Sequence, residues 1–293
     1  MNKVFISGAT GFTGHHACEY YDGLGYEVYA AVRNHSLSTK DVRNVHCNLM
    51  DAEALMVLLE KIRPDLILHL AAQNHSGQSW NDPVTTINTN VIGTMNLLEA
   101  AKKIVPRARI LITGSVIEFN PCHSTEPNHP YGLSKYIQTL LSRSWSSFYD
   151  LDIRIAKTSN LIGPGHSNGI CSLVAQKCLQ YRKGDIEGFH FHNVLDRRDF
   201  LDVRDAVRAY DFILQKGRKN ETYVVASGET NTLLEVAKEL KRLSQSDLPL
   251  TTQQFEHTPP VHYVIDKLEN LDWNQTIPLK QSLKDIVDYF KQD

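Results

Sequence analysis

The stretch SGATGFTG, residues 7–14, decides how the rest of the chain is read. It follows a short apolar run, KVFIS (3–7), and leads into a segment of helical character over 12–24. Its glycines are Gly8, Gly11 and Gly14. A strand that turns sharply into a helix needs a residue free to take a positive φ, and Gly8 supplies it. Gly11 lets the backbone approach a pyrophosphate at the helix N-terminus, where free N–H groups and the helix dipole favour an anion. Gly14 lets the helix lie close to the sheet. A plain strand–helix turn would satisfy the same spacing, so the context must decide between the two readings.

The context is a run of alternating strands and helices. EVYAAV (27–32) reads as a second strand, and residues 51–64 as a helix with apolar residues at helical spacing and Pro64 as its stop. DLILHLAA (65–72) is a buried strand. Asp82-Pro83 opens a helix predicted to run to about Val105, with Asp as N-cap and Pro in the first turn. RILITGS (109–115) is the next strand, a helix runs from Asn128-His129-Pro130 to Tyr149, and DIRIAKTSN (152–160) is a strand again. Strands this apolar, alternating with helices, predict a parallel sheet covered on both faces. The fold class is α/β, a Rossmann-type doubly wound parallel sheet, with a smaller C-terminal α/β substrate lobe. The expected division is a dinucleotide-binding domain over 1–160, with parts of roughly 190–226 returning to it, and a lobe over 161–293.

Composition narrows the class of function. The chain has 293 residues, 42% hydrophobic and 22% charged, with a formal net charge of −2. That balance points away from nucleic-acid or membrane-surface binding. No apolar run approaches the length of a membrane span. The apolar run behind Lys3 is too short for a secretory leader. Five scattered cysteines, with no CxxC, predict reduced thiols and a cytoplasmic protein. Two histidines on a short strand, His190 and His192, lack a third ligand, so no metal is expected.

Two further features specify chemistry. An acid about 20 residues beyond the glycine loop would grip a ribose 2′-hydroxyl. The end of the second strand carries Arg33 there instead, which suits a 2′-phosphate and predicts NADPH/NADP as cofactor. YGLSK places Tyr131 and Lys135 four apart on one helix, facing the same way. A nearby ammonium favours phenolate and is expected to lower the tyrosine pKa by roughly 1–3 units. On its own such a pair is common on exposed helices. With the glycine loop, and with Ser115 at the preceding strand tip, it reads as a catalytic set.

Together GATGFTG (8–14), HLAAQ (69–73), NTNVIGTMNLLEA (88–100), Ser115, YGLSK, NLIGPG (160–165) and RRDFLDVRDAV (197–207) resemble the nucleotide-sugar branch of the extended short-chain dehydrogenase/reductase family. SWNDP (79–83), the Gly-Pro-Gly loop and RRDFLDV look most like GDP-6-deoxy-4-keto-mannose reductases and the related GDP-mannose 4,6-dehydratases. The resemblance implies Ser115, Tyr131 and Lys135 as catalytic residues. Ser115 would hold the substrate oxygen, Tyr131 act as acid, and Lys135 tune Tyr131 and bind the nicotinamide ribose. It implies a cofactor site formed by Gly8, Thr10, Gly11, Phe12, Thr13, Gly14, Arg33, Asn48, Leu49, Leu70, Ala71, Ala72 and Lys135. Substrate contacts are expected from Gln73, His75, Ser76, Ser115, Asn160 and Arg198. Where relatives carry Asp, this chain has Asn48. Residues 255–264 lack the Arg-Pro found near the nucleotide in many relatives. Helices 83–105 and 129–149 carry second apolar faces, Leu97 and Ala101 on the first and Leu133, Ile137, Leu141 and Trp145 on the second, which serve either the core alone or the homodimer through these two helices that the family implies.

The strand tip ITGSVIEFN (112–120) separates the reactions open to such a site. Dehydratase relatives carry a Glu or an Asp-Glu pair one or two residues after the strand-tip hydroxyl. Here those positions are Val116 and Ile117. Glu118 follows one position later and, by strand alternation, should face away. The expectation is an NADPH-dependent reductase of a nucleotide-linked 4-keto-6-deoxy sugar, GDP-linked in preference, serving surface polysaccharide synthesis. A 4,6-dehydratase or epimerase of the same family is the alternative. A non-catalytic NADP-binding regulator is a third reading, against which Tyr131 and Lys135 both stand.

Overall fold

A computed structural model describes residues 2–39, 41–122 and 124–292. In chain order its elements begin with β1 (Lys3–Ser7), α1 (Phe12–Gly23), β2 (Glu27–Val32), β3 (Arg43–His46), α2 (Ala52–Ile62) and β4 (Leu66–His69). Next come α3 (Ser76–Asn81), α4 (Pro83–Ile87), a π-helical turn (Asn88–Ile92), α5 (Gly93–Ile104), β5 (Arg109–Ser115), α6 (Pro130–Tyr149), β6 (Asp152–Thr158) and β7 (Asn160–Ile162). Then follow α7 (Ile170–Lys183), β8 (Phe189–Asn193), β9 (Arg197–Asp202), α8 (Val203–Lys216) and β10 (Thr222–Val225). The last are β11 (Thr230–Thr232), α9 (Leu233–Ser244), β12 (Leu250–Gln254), α10 (Asp266–Glu269) and α11 (Leu279–Gln292).

The chain divides into two units. The first comprises Met1–Thr158, Val207–Val224 and Asn270–Asp272, and the second Ser159–Ala206, Val225–Glu269 and Trp273–Asp293. Among the described residues the first unit is built on a seven-stranded parallel sheet of order β10-β6-β5-β4-β1-β2-β3. The order reverses between β1 and β4, the place where ligands bind in open α/β sheets. There Ser7 ends β1 with Ala31 beside it on one side and His69 on the other. The apolar strands read from the sequence form the core: Phe5, Ile67, Ile110, Ile112, Ile153 and Ile155 pack with Leu55, Leu59, Leu97 and Leu98. Burying each such side chain stabilises the fold by ~1.5–3 kcal/mol.

Two elements differ from expectation. Asp82 does cap its helix, accepting from Thr85 N at 3.0 Å, with Pro83 in the first turn. The helix does not run unbroken to 105, however, because a π-helical turn over Asn88–Ile92 separates α4 from α5. Such turns add a residue to the helical repeat and re-aim a side chain. Here it is Asn90, whose buried amide holds Gln73 N (2.8 Å), Gln73 O (3.0 Å) and Ser134 Oγ (2.9 Å). The strand expected over 152–160 also breaks. Its first part is β6, while Asn160, Leu161 and Ile162 form β7 in another sheet.

In the second unit β9 is flanked by β7, parallel, and by β11, antiparallel. A separate parallel pair joins β8 to β12. Helices α7, α9 and α11 pack together, burying Val174, Cys178, Val236, Leu240 and Ile286 with Phe200 of β9. The α9 N-terminus is closed by a capping box in which Thr232 and Glu235 satisfy each other's backbone N–H groups.

Candidate active site

The glycine loop is built as its spacing demands. Gly8 has φ +72°, and a Cβ there would stand 2.7 Å from Ala71 N. A Cβ on Gly14 would stand 2.1 Å from Gly8 O, so any larger residue would drive α1 off the loop. Helix α1 starts at Phe12, after Gly11 as N-cap, with no side-chain cap and no acid in its first turn. Its N-terminal N–H groups therefore suit an anion. Leu70, Ala71 and Ala72 continue from the tip of β4, and Thr10, Phe12 and Thr13 border the helix start. The glycines and the uncapped N–H groups at the start of α1 fit the pyrophosphate of a dinucleotide, since no side chain occupies the backbone donors there. Arg33 is exposed just beyond β2 and, among the described residues, has no side-chain partner. Asn48 is turned to its own loop, its Oδ1 accepting from Met50 N at 3.1 Å, and Leu49 lies against Gly93.

Ser115 ends β5, next to Thr158 of β6, and Tyr131 and Lys135 lie on α6. All three are buried. Helix α6 begins at Pro130 with His129 as N-cap, whose Nδ1 accepts from Gly132 N at 2.7 Å. The His129 ring is stacked near Tyr131, with centroids 6.0 Å apart. Ser79 Oγ accepts from Tyr131 N at 3.1 Å and fixes the first turn. Burial pushes the Tyr131 phenol up to about 12, while its hydrogen bond to Ser115 works the other way. Burial pulls the Lys135 ammonium down to about 8, with Glu118 opposing that shift. The expected lowering of the tyrosine pKa by Lys135 is not found: burial dominates both shifts, because desolvation disfavours the phenolate and the ammonium alike, and Glu118 further raises the phenol. Lys135 Nζ donates instead to Thr113 O (2.7 Å) and Gln138 Oε1 (2.8 Å).

Glu118 does not face away by strand alternation. Alternation does not apply, because the chain leaves β5 at Ser115 and turns, with Glu118 N donating to Ser115 O at 3.2 Å. Glu118 is instead held in the interior, its side chain only 5% exposed. One carboxylate oxygen meets Lys157 Nζ at 2.6 Å, and the other accepts from Thr139 Oγ1 at 2.9 Å.

Of the expected substrate contacts, Gln73 and His75 are tied to each other. Gln73 Oε1 accepts from His75 N (3.0 Å), and His75 Nδ1 caps α3 by accepting from Gln78 N (3.0 Å). Ser76 is exposed in the first turn of α3, a helix the sequence reading did not anticipate. Asn160 and Arg198 belong to the second unit, on β7 and β9. Asn160 Nδ2 donates to Asp199 O at 2.9 Å, and Arg198 is exposed. The reading missed Ser79, Thr94, Thr113 and Gln138. Gln138 alone left a signal, a polar residue one helical turn past Lys135 on the buried face of α6.

Residues 4–226 match the model of the NAD dependent epimerase/dehydratase family. The chain belongs to that family. Membership makes it a Rossmann-fold, NAD(P)-binding oxidoreductase. Among family members, the GDP-6-deoxy-D-mannose reductase of Pseudomonas aeruginosa is 26% identical over 97% of this chain and 96% of its own. The dTDP-glucose 4,6-dehydratase of Haemophilus influenzae is also 26% identical, over 99% of this chain and 98% of its own. Among solved structures, the UDP-glucose 4-epimerase of Thermotoga maritima superimposes with a TM-score of 0.87 at 22% identity, covering 99% of each chain. Among the described residues no helix is long and apolar enough to cross a membrane.

Proposed function

We propose that this enzyme is an NADPH-dependent reductase of a nucleotide-linked 4-keto-6-deoxy sugar, GDP-linked in preference. The observation that carries the reading is the strand tip. Dehydration across C5 and C6 needs an acid–base group beyond the Ser-Tyr-Lys set. After Ser115 this chain offers Val116 and Ile117, which move no protons, and Glu118, which is committed to Lys157 and Thr139. Reduction of a ketone requires one hydride and one proton. The nicotinamide, when bound, supplies the hydride. The Ser115 hydroxyl and the Tyr131 phenol hold the carbonyl oxygen, and Tyr131 hands it the proton. Its raised pKa keeps Tyr131 in the acid form throughout the neutral range. Lys135 brings the positive charge that steadies the phenolate left behind. The unpartnered guanidinium of Arg33 supports NADPH over NADH. Asn160 and Arg198 are assigned to the sugar nucleotide, for which an exposed guanidinium is apt. Exposed Val84, Leu140 and Phe148 on α4 and α6 support pairing of these helices in a homodimer.

Relatives named dehydratases and epimerases are as similar as the reductase. Epimerisation at C4 is the second reading, because it uses the same Ser, Tyr and Lys and needs no further acid. The test incubates the enzyme with GDP-mannose alone, and separately with its 4-keto-6-deoxy derivative plus NADPH, following products by NMR. The expected result is consumption of one NADPH per keto sugar and no change in GDP-mannose. Keto sugar formed from GDP-mannose would make the enzyme a dehydratase. Interconversion of C4 epimers with no net use of NADPH would make it an epimerase.

A further inference from the structure

Behind Lys135 lies a line of buried polar side chains that the reaction does not call on. Gln138 Nε2 reaches Thr94 Oγ1 (2.8 Å), Thr94 Oγ1 reaches Asn90 O (2.7 Å) and His69 Nε2 (2.9 Å), and His69 Nδ1 reaches Ser7 Oγ (2.7 Å). Ser7, His69, Thr94, Lys135 and Gln138 are all buried. The line joins the catalytic helix α6 to the tips of β4 and β1, where the glycine loop begins.

Chemistry fixes every donor and acceptor along it. Lys135 can only donate, so the Gln138 atom that meets it is the carbonyl oxygen, which turns the Gln138 NH₂ toward Thr94. Asn90 O can only accept, so Thr94 spends its single proton there. Thr94 Oγ1 must then accept from both Gln138 and His69. His69 therefore carries its proton on Nε2, and its bare Nδ1 accepts from the Ser7 hydroxyl. Burial and the Lys135 charge together pull the His69 pKa down to about 3, so the ring stays neutral. Ser7 Oγ in turn accepts from Ala71 N at 3.3 Å. No member can reverse without setting donor against donor in the interior, where such a fault costs ~1–3 kcal/mol.

We propose that Gln138 is a positioning residue for Lys135. Anchored through Thr94 and His69 at the edge of the cofactor loop, its carbonyl holds one ammonium N–H while Thr113 O holds a second, leaving the third to aim at the reacting centre. The role rests on the proposed use of Lys135 in the reaction. Gln138 also helps keep the buried ammonium charged. The other ionisable groups around it are Glu118, already paired with Lys157, Tyr131 on the same helix, and neutral His69. His129 stacks on Tyr131 at the head of the helix.

The test compares Gln138→Met with Gln138→Glu. Because the Lys135 ammonium exists below its pKa of about 8 and is lost above it, turnover should fall on the alkaline side. Gln138→Met removes the acceptor and should move that limb to lower pH by about one unit, while Gln138→Glu adds an opposite charge and should move it higher by about the same. At neutral pH, Gln138→Met should lower kcat about tenfold or more, the worth of a hydrogen bond to a charged group, with little change in KM for NADPH. A direct readout is the titration of the Lys135 Cε resonance in 13C-lysine-labelled protein, identified by its loss in Lys135→Met. Opposite shifts of that titration in the two variants support the proposal. An unmoved titration, or shifts in the same direction, would overturn it. Opposite shifts with an unmoved activity limb would uphold the positioning while removing Lys135 from the reaction.

Discussion

Around Lys135 in the first unit the polar contacts are neutral, and two ammonium protons are taken by Thr113 O and Gln138 while the third has no partner among the described residues. In the second unit Asp199, Asp202 and Asp205 are buried carboxylates whose oxygens are all occupied. Asp199 accepts from Ser159 Oγ (2.6 Å), Ser227 N (3.0 Å), Ser227 Oγ (2.8 Å) and Gly228 N (2.8 Å). Asp202 takes the Arg204 guanidinium and Ser282 Oγ, and Asp205 takes Thr276 N, Thr276 Oγ1 and Ile277 N. A buried charge with a full set of donors joins distant parts of the chain and has nothing left to offer a substrate. A buried charge with one donor free still has a hydrogen bond to offer. RRDFLDVRD therefore serves the fold through its aspartates, though the same motif carries Arg198, which is exposed.

The largest effect that separates the two kinds of site is Tyr131→Phe. Turnover should drop by about 10²–10⁴-fold, the usual contribution of a positioned general acid, with NADPH binding close to wild type. Turnover equal to wild type would remove Tyr131 from the chemistry. Next is Asp199→Ala, which strips the acceptor from several buried donors. Chemical denaturation should show a loss of ~3 kcal/mol or more, given the cost of orphaned hydrogen bonds to a charged group. A variant as stable as wild type would break the reading of Asp199 as a staple. Arg33→Ala should reduce the preference in kcat/KM for NADPH over NADH by about 10–100-fold, the worth of charged hydrogen bonds to a phosphate. Equal use of both cofactors by the wild type would defeat that claim at once. The smallest effect is on the stability of Lys135→Met, which should stay within about 1 kcal/mol of wild type, because an ammonium held in the interior repays little of its desolvation. A large loss of stability there would make Lys135 a structural charge like the aspartates.

Much of the first unit was legible in the linear sequence. Strand and helix periods, the Asp82-Pro83 and His129-Pro130 starts, and the glycine loop all act over a few residues, and the structure keeps them. What local pattern missed were the places where a distant partner decides. Nothing near Asn90 announces a π-helical turn, which comes with an amide bridging Gln73 and Ser134. Leu97 and Ala101 read as a second face open to core or partner, and both are fully buried in this chain's own core. Strand alternation put Glu118 out of play for a reason the turn after Ser115 annuls, and the real reason is Lys157 and Thr139, which lie 39 and 21 residues away.

The sequence by itself determined the class of fold, the strand–glycine–helix turn at 7–14 and the helix that carries Tyr131 and Lys135, because each depends on residues close in the chain or on a periodic pattern. Only the tertiary structure decided their electrostatics. Spacing brings an ammonium to the same helix face as a phenol, but the balance of charge against desolvation depends on how deeply both are buried, and burial is a property of the assembled core. The same holds for the line from Ser7 to Gln138. Its members come from β1, β4, α5 and α6, and no order of donors and acceptors exists among them until the sheet and its helices close around the buried Lys135.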